Sequence, residues 1–257
     1  HGALAYLEHD ARFDLAHVQT RAEARGGGYR LTGAKSLVIN GASAGWIVVS
    51  ARTSGSERDR DGVALFVVDT TLDGVSRRPY RTVDGGRACE LDLEGVDVGA
   101  EAMLATGDQG LAVLERVIDD AILAVSAEAV GAMEVLYKDT VEYCKNRVQF
   151  GQPIGKFQVL QHRMVDMYME YEQSRSLLHA TAERMSRETG DGTSKYVSAL
   201  KAQIGESGRF VGQNAVQLHG GMGMTDEMPV GHYFKRLTAI DALFGNADFH
   251  VRRFGQL

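Results

Sequence analysis

Cysteine is nearly absent: Cys89 and Cys144 are the only two in 257 residues, and they lie 144 − 89 = 55 positions apart. That spacing fits neither a metal-ligand pattern nor a redox pair, so a disulfide framework and a zinc site are excluded, and a reducing cytoplasm is the expected compartment. A basic surplus is missing too. With 28 Lys and Arg against 34 Asp and Glu, the net charge is 28 − 34 = −6, and the signs alternate along the chain instead of forming blocks. Nucleic-acid binding needs a concentrated basic surface and is therefore not expected. No apolar run reaches 18 residues and no basic-then-apolar leader is present, so neither a membrane span nor a retained signal peptide is expected. The histidines are scattered, with no pair at i, i+4 around a Glu, which excludes a metallohydrolase of that type and leaves no metal site. The chain opens on His1-Gly2-Ala3-Leu4 without a Met, and an upstream segment is expected to be missing from this numbering. What is present is ordinary globular material, 44% hydrophobic and 24% charged, enough for a sizeable core in one large domain or two smaller ones.

Two periodicities divide the chain near Ala105 to Gln109, predicting domains over 1–105 and 106–257. Before that point come short β-branched or aromatic runs bounded by Gly, Asp and Ser: Val18–Ala24, Tyr29–Thr32, Ser36–Ile39, Trp46–Ala51, Val63–Val68 and Cys89–Leu93. Strands this frequent, with no helical period between them, predict an antiparallel β-barrel or sandwich. Gly26-Gly27-Gly28 reads as a hairpin turn, and the stretch 54–62 (SGSERDRDG) as a charged loop tip that needs no function. After the boundary, Leu111, Leu114, Val117, Ala121, Val125, Met133, Leu136 and Val141 recur at helical spacing. A second helix is predicted from about Phe157 through Met164, Met167 and Tyr171 to a break at Gly190-Asp191-Gly192, its methionines belonging to the core. A third should begin behind Thr193 as N-cap and end near His219, a fourth at Pro229, and a fifth over Asn246 to Phe254. The fold class is thus α+β: an antiparallel β-barrel or sandwich followed by a bundle of long antiparallel helices.

Two glycine-rich stretches invite stronger readings. Gly41-Ala42-Ser43-Ala44-Gly45 matches a G-x-S-x-G nucleophile elbow, but Trp46-Ile47-Val48-Val49-Ser50 behind it reads as a strand where that chemistry needs a helix, so a tight turn is expected. Gly220-Gly221-Met222-Gly223 follows a helix, not a strand, and is no Rossmann fingerprint. It fits a phosphate cradle and a helix C-cap equally well. The most informative stretch is 147–158, RVQFGQPIGKFQ. It ends one helix with a cation, turns through Gly and Pro, and opens the next with amides. Arg147 suits the helix dipole alone, yet beside Gln149, Phe150 and Gln158 it also forms a set able to hold a phosphorylated heterocycle.

On RVQFGQPIGKFQ at 147–158 with HRMVDM at 162–167, and on QLHGGMGM at 217–224 with the acidic-Met-Pro turn at 226–229, the chain resembles the acyl-CoA dehydrogenases. Weaker support comes from YRLTGAKSLVING at 29–41 and from Ala129-Val130-Gly131. The resemblance covers essentially the whole chain and implies the family's fold, an antiparallel β-barrel (its middle domain) followed by an up-down four-helix bundle (its C-terminal domain), without its N-terminal helical domain. It also implies FAD shared across a subunit interface, in an oligomer expected to be a tetramer, acting on acyl-CoA thioesters of fatty-acid or steroid side-chain β-oxidation.

The resemblance carries over residue by residue. The contacts that family members give to a neighbouring subunit's flavin correspond to Arg147, Phe150, Gln217, Gly220 and Gly221, and all are present; Gln149 and Gln158 join them as cofactor-binding candidates. The contacts to a chain's own flavin ring lie in the barrel and are altered. Leu7, Phe13 and Ile39 stand where hydroxyl donors are usual, and Leu37 where a tryptophan packs on the ring. The family's catalytic Glu falls at Phe244 in its usual placement and at Ala121 in its alternative one, so no catalytic residue is assigned. Asp119, Asp120 and Glu128 are candidates for a displaced base.

Three readings stay open. The leading one is a subunit that has lost its own base and completes the FAD site of a partner that desaturates an acyl-CoA. The others are an active homo-oligomer with a relocated base, and a structural or binding homologue without flavin.

Overall fold

The computed structural model describes residues 1–188 and 191–257; Gly190, placed by the sequence in a helix break, lies outside the described residues. The chain divides into two compact units, His1–Ile118 and Asp119–Leu257.

The first unit is built on an eight-stranded sheet. Its strands are β1 (Gly2–Ala5), β2 (Arg21–Arg25), β3 (Gly28–Ile39), β4 (Trp46–Arg52), β5 (Val63–Asp69), β6 (Val75–Arg81), β7 (Arg87–Gly99) and β8 (Met103–Ala105). They run in the order β6-β7-β3-β2-β4-β5-β8, with β1 alongside β4. The expected antiparallel arrangement holds for most pairs, but β1 and the end of β2 lie parallel to β4, through Gly2↔Trp46 and Arg21↔Arg52, so the sheet is mixed. Neither is joined to β4 by a hairpin, as parallel neighbours require. The core, with Leu31, Val38, Ile47, Val49, Phe66 and Leu91, comes from alternate residues of the long strands, each side chain contributing roughly 1.5–3 kcal/mol on full burial.

Several local expectations change in the structure. Tyr29–Thr32 and Ser36–Ile39 are one strand, because the irregularity between them is absorbed by a bulge between Lys35 and Val38, with Leu37 at φ 49°. Gly26 and Gly27 make the β2–β3 turn at φ 58° and 86°, while Gly28 already lies in β3, where a Cβ would meet the Val98 carbonyl at 2.2 Å. Gly41–Ser43 form a 3₁₀ turn, after which β4 begins, so no elbow is present. At Gly41 a Cβ would lie 2.6 Å from Val38 and 2.7 Å from the Cys89 sulfur, which accounts for the glycine by packing. The stretch 54–62 is more than a solvated tip. It wraps the buried Arg52, whose guanidinium donates to six carbonyls, those of Ala16, Val18, Ser54, Glu57, Asp59 and Asp61.

Helix α1 (Gly110–Asn146) spans the division between the units, and its Leu111 packs with Ala16, Val18 and Val63 of the first. The buried stripe of α1 runs through Leu111, Leu114, Ile118, Ile122, Met133 and Leu136, whereas Val117, assigned to it from the sequence, is 44% exposed. A 3.6-residue period admits both tracks over two turns, and only the packing selects one. The second unit adds the short hairpin β9 (Val148–Gln149) and β10 (Gln152–Pro153), then α2 (Gln158–Arg187), α3 (Asp191–His219), α4 (Pro229–Ala242) and α5 (Ala247–Gln256). Thr193 lies inside α3 and is not its N-cap, since the helix starts at Asp191. Met133, Leu136, Met167, Tyr171, Leu200, Ile204 and Leu237 fill the core among α1, α2, α3 and α4, while Met169 of α2 faces outward. Among the described residues no helix is long and apolar enough to cross a membrane.

Candidate cofactor site

The end of α1, the β9–β10 hairpin, the start of α2 and the end of α3 meet at one end of the helical unit. Tyr143, in the last turn of α1, stacks on His219 at 4.3 Å between ring centroids and donates its hydroxyl to the His219 carbonyl at 3.3 Å. The buried His219 in turn donates Nδ1–H to the Ala215 carbonyl at 2.8 Å, which fixes the ring that Tyr143 stacks on. Arg147 is one turn beyond Tyr143, and Gly220 directly follows His219. The structure therefore brings the two sequence motifs together.

The hairpin turns on Phe150 and Gly151, at φ 52° and 74°. Two left-handed residues in succession match the twist of a two-residue hairpin, where Asn-Gly is the relaxed choice and a phenylalanine is strained. The Phe150 ring is 90% exposed and touches only Phe157, edge-on at 6.1 Å, among the ring contacts of the described residues. An aromatic this exposed, held in a costly conformation, gains little from its own chain beyond that one edge contact. Arg147 is likewise exposed, and among the described residues its guanidinium has no hydrogen-bond or ion-pair partner. Its backbone ends α1 and closes the hairpin, donating to the Tyr143 carbonyl and accepting from the Ile154 amide, each at 2.8 Å.

Gly220 sits at φ +60°, and a Cβ on Gly220 or Gly221 would meet no atom within 4 Å. The left-handed backbone explains the first glycine, but no packing within the chain explains the second. Gly223 differs, since a Cβ there would meet the Val216 carbonyl at 2.8 Å. Gln158 and Gln217 are exposed on the same end, while Gln149 donates to the Val148 carbonyl beside it at 2.8 Å. A free guanidinium, an exposed ring and a glycine pair open to solvent fit the phosphate and adenosine parts of a dinucleotide.

The barrel positions have a different character. Leu7 and Phe13 are half-buried, Leu37 holds the bulge, and Ile39 is 37% exposed. None of these four side chains offers a hydrogen-bond donor. Beneath them, Lys35 donates to Glu8 at 2.6 Å and to Ser50 at 3.0 Å, and Glu8 accepts further from the Thr20 hydroxyl at 2.7 Å and the Gln19 amide at 2.6 Å. Burial pushes Lys35 down to about 8 against the pull of Glu8. Burial alone would raise the Glu8 carboxyl, but the Lys35 charge and these donors together hold it below its ordinary value.

Two of the three candidate bases are already engaged by arginines. Asp119 is buried and accepts from Arg253 at 3.0 Å and Ser194 at 2.5 Å. Glu128 is held by Nε and Nη2 of Arg236 at 2.6 and 2.7 Å. Asp120 is exposed on α1 and Ala121 half-buried beside it. Phe244 lies in the α4–α5 turn at φ 59°. The sequence reading missed two buried groups at that turn, Lys201 and His250. A lysine and a histidine isolated within helical patterns carry no local signal.

Two family models match: "Acyl-CoA dehydrogenase, middle domain" over residues 3–96 and "Acyl-CoA dehydrogenase, C-terminal domain" over residues 108–256. Mitochondrial isovaleryl-CoA dehydrogenase of Solanum tuberosum is 32% identical over 239 residues, covering 91% of this chain and 57% of the relative. The solved butyryl-CoA dehydrogenase of Megasphaera elsdenii superposes with a TM-score of 0.92 at 27% identity, covering 99% of this chain and 67% of that one. PigA, solved with FAD and proline, gives a TM-score of 0.93 at 24% identity over 99% of this chain and 67% of its own, a likeness of fold alone. The chain spans about three fifths of the length of the curated relatives it matches.

Proposed function

The chain belongs to the acyl-CoA dehydrogenase family, and from that premise we propose that it is a flavoprotein subunit that completes a partner's FAD site and has no proton-abstracting base of its own. One observation carries this reading: the groups aimed outward are intact and uncommitted, while the groups for an own active site are altered. Arg147 would meet the pyrophosphate, with Phe150, Gln217, Gly220 and Gly221 beside the adenosine half. FAD, when bound, supplies the acceptor for the hydride taken from an acyl-CoA. In the barrel, Leu7, Phe13 and Ile39 supply bulk where donors are needed, which argues against a flavin ring held by this chain.

A relocated base is disfavoured by the pairing of Asp119 with Arg253 and of Glu128 with Arg236. A carboxylate already bonded to a guanidinium is not free to swing toward a substrate. The test is the visible spectrum of the protein purified alone and then co-expressed with a family member that retains the Glu. Flavin absorbance only in the complex, near one FAD per pair, is the expected result, and Arg147→Ala should strip it. A yellow preparation from this chain alone that oxidises an acyl-CoA would overturn the reading.

A further inference from the structure

We propose that Lys201 and His250 are positioning residues that lock the α4–α5 turn, so that the side chain of residue 244 points in one fixed direction. The inference rests on the reading above in one respect, that position 244 is where the family's base would stand. The geometry that carries it involves no flavin.

Phe244 holds a left-handed backbone at φ 59°, and Gly245 follows at φ 105°. For a bulky aromatic residue this conformation persists only where the surroundings over-determine it. Here they do. The fully buried Lys201 of α3 donates Nζ to the carbonyl of Asp241 at 2.9 Å and to that of Gly245 at 2.6 Å. His250 of α5, also fully buried, donates Nε2–H to the carbonyl of Phe244 itself at 3.0 Å. The Asp241 carboxylate accepts from the Ala247 amide and from Arg209, each at 3.1 Å, and the Asn246 side chain caps α5 at the Phe249 amide at 3.0 Å.

The packing is cut to match. A Cβ on Gly205 would lie 2.2 Å from Asp241 Oδ1, and one on Gly245 would lie 2.7 Å from His250 Nε2. A turn that merely joins two helices needs no buried lysine, because an ammonium is among the groups least often taken fully out of water. The molecule accepts that desolvation, which pushes Lys201 down to about 8 and His250 to about 4. Three carbonyls at and around residue 244 are thus pinned by two buried side chains, one from α3 and one from α5, and the backbone at that residue has one arrangement.

The test places 4-fluorophenylalanine at position 244 of the full chain and follows its ¹⁹F resonance. One narrow line away from the unfolded position is expected. His250→Leu and Lys201→Met should broaden or split it, and His250→Gln, whose amide reaches the same carbonyl, should restore it. An unchanged narrow line in both His250→Leu and Lys201→Met would overturn the proposal. Should those two fail to fold, substitutions at 244 itself decide: Phe244→Gly and Phe244→Asn should melt at or above the parent temperature and Phe244→Val below it, because only the first two tolerate a left-handed backbone. Equal melting of all three would equally overturn it. None of these readouts requires FAD, so a failure of the cofactor reading leaves them unaffected.

Discussion

A histidine that donates Nε2–H to a carbonyl must leave Nδ1 bare, and in His250 that Nδ1 is buried with no hydrogen-bond partner among the described residues. Protonation would place a charge there with no acceptor, next to the positive charges of Lys201 and Arg253, and burial already holds the group down at about 4. Its unfolded value is near 6.5, so between pH 6.5 and 4 the unfolded chain takes up a proton that the folded chain refuses. Stability should therefore fall as pH drops through that window and level off below it, by on the order of 3 kcal/mol. Denaturant melts of the parent and of His250→Gln across this range check the sign. The parent should lose stability faster, because glutamine does not titrate, and parallel curves would refute the assignment. At this scale the sequence was legible where a motif concentrates chemistry. Arg147 and Phe150 sit in one short stretch, whereas Lys201 and His250 are 49 positions apart and meet only through the fold.

Elements were legible wherever a side-chain period ran long enough to be unambiguous. Helices α1 to α5 follow from apolar recurrence and from Pro229 at the first turn of α4, but the outward face of Val117 and Met169 does not, because adjacent tracks of a helix differ only in what packs on them. Strand β6 reads Val-Ser-Arg-Arg-Pro-Tyr-Arg, with no alternation and a proline, and is recognisable only as the edge that β7 pairs with. The 54–62 loop is a further case, since its charged tip conceals the organising role of Arg52 on the neighbouring strand. Arg52→Met should leave several carbonyls of the loop without donors, at a cost of about 1–3 kcal/mol for each that water cannot reach. The expected result is a clear fall in the unfolding midpoint together with rapid tryptic cleavage at Arg58 or Arg60. Arg52→Lys should recover little of the loss, because a single ammonium cannot reach six acceptors. A protease-resistant loop in Arg52→Met would show that the strands alone hold it.

At the scale of the whole molecule, the proposal predicts a stoichiometry. If this chain lends its helical end to a partner's cofactor and has lost the ring contacts of its own barrel, a complex of the two should carry one FAD where a symmetric family pair would carry two. The proposal attributes that loss to four side chains, Leu7, Phe13, Leu37 and Ile39, and not to collapse of the sheet, whose core is packed and whose buried Glu8–Lys35 pair is in place. Restoring donors is then a more searching test than removing them. Leu7→Thr, Phe13→Ser and Ile39→Thr together, with Leu37→Trp to return the packing ring, should raise the flavin content of the complex from near one toward two per pair, measured by absorbance after denaturing release. The partner's own FAD, whose adenosine half would rest on Arg147 and the 217–221 turn, should stay in place. Arg147→Ala in the same background should remove that flavin and spare the restored one. A content that stays at one per pair in the restored variant would mean that the barrel's loss of flavin does not reside in these four positions, and the asymmetry would have to originate on the partner's side.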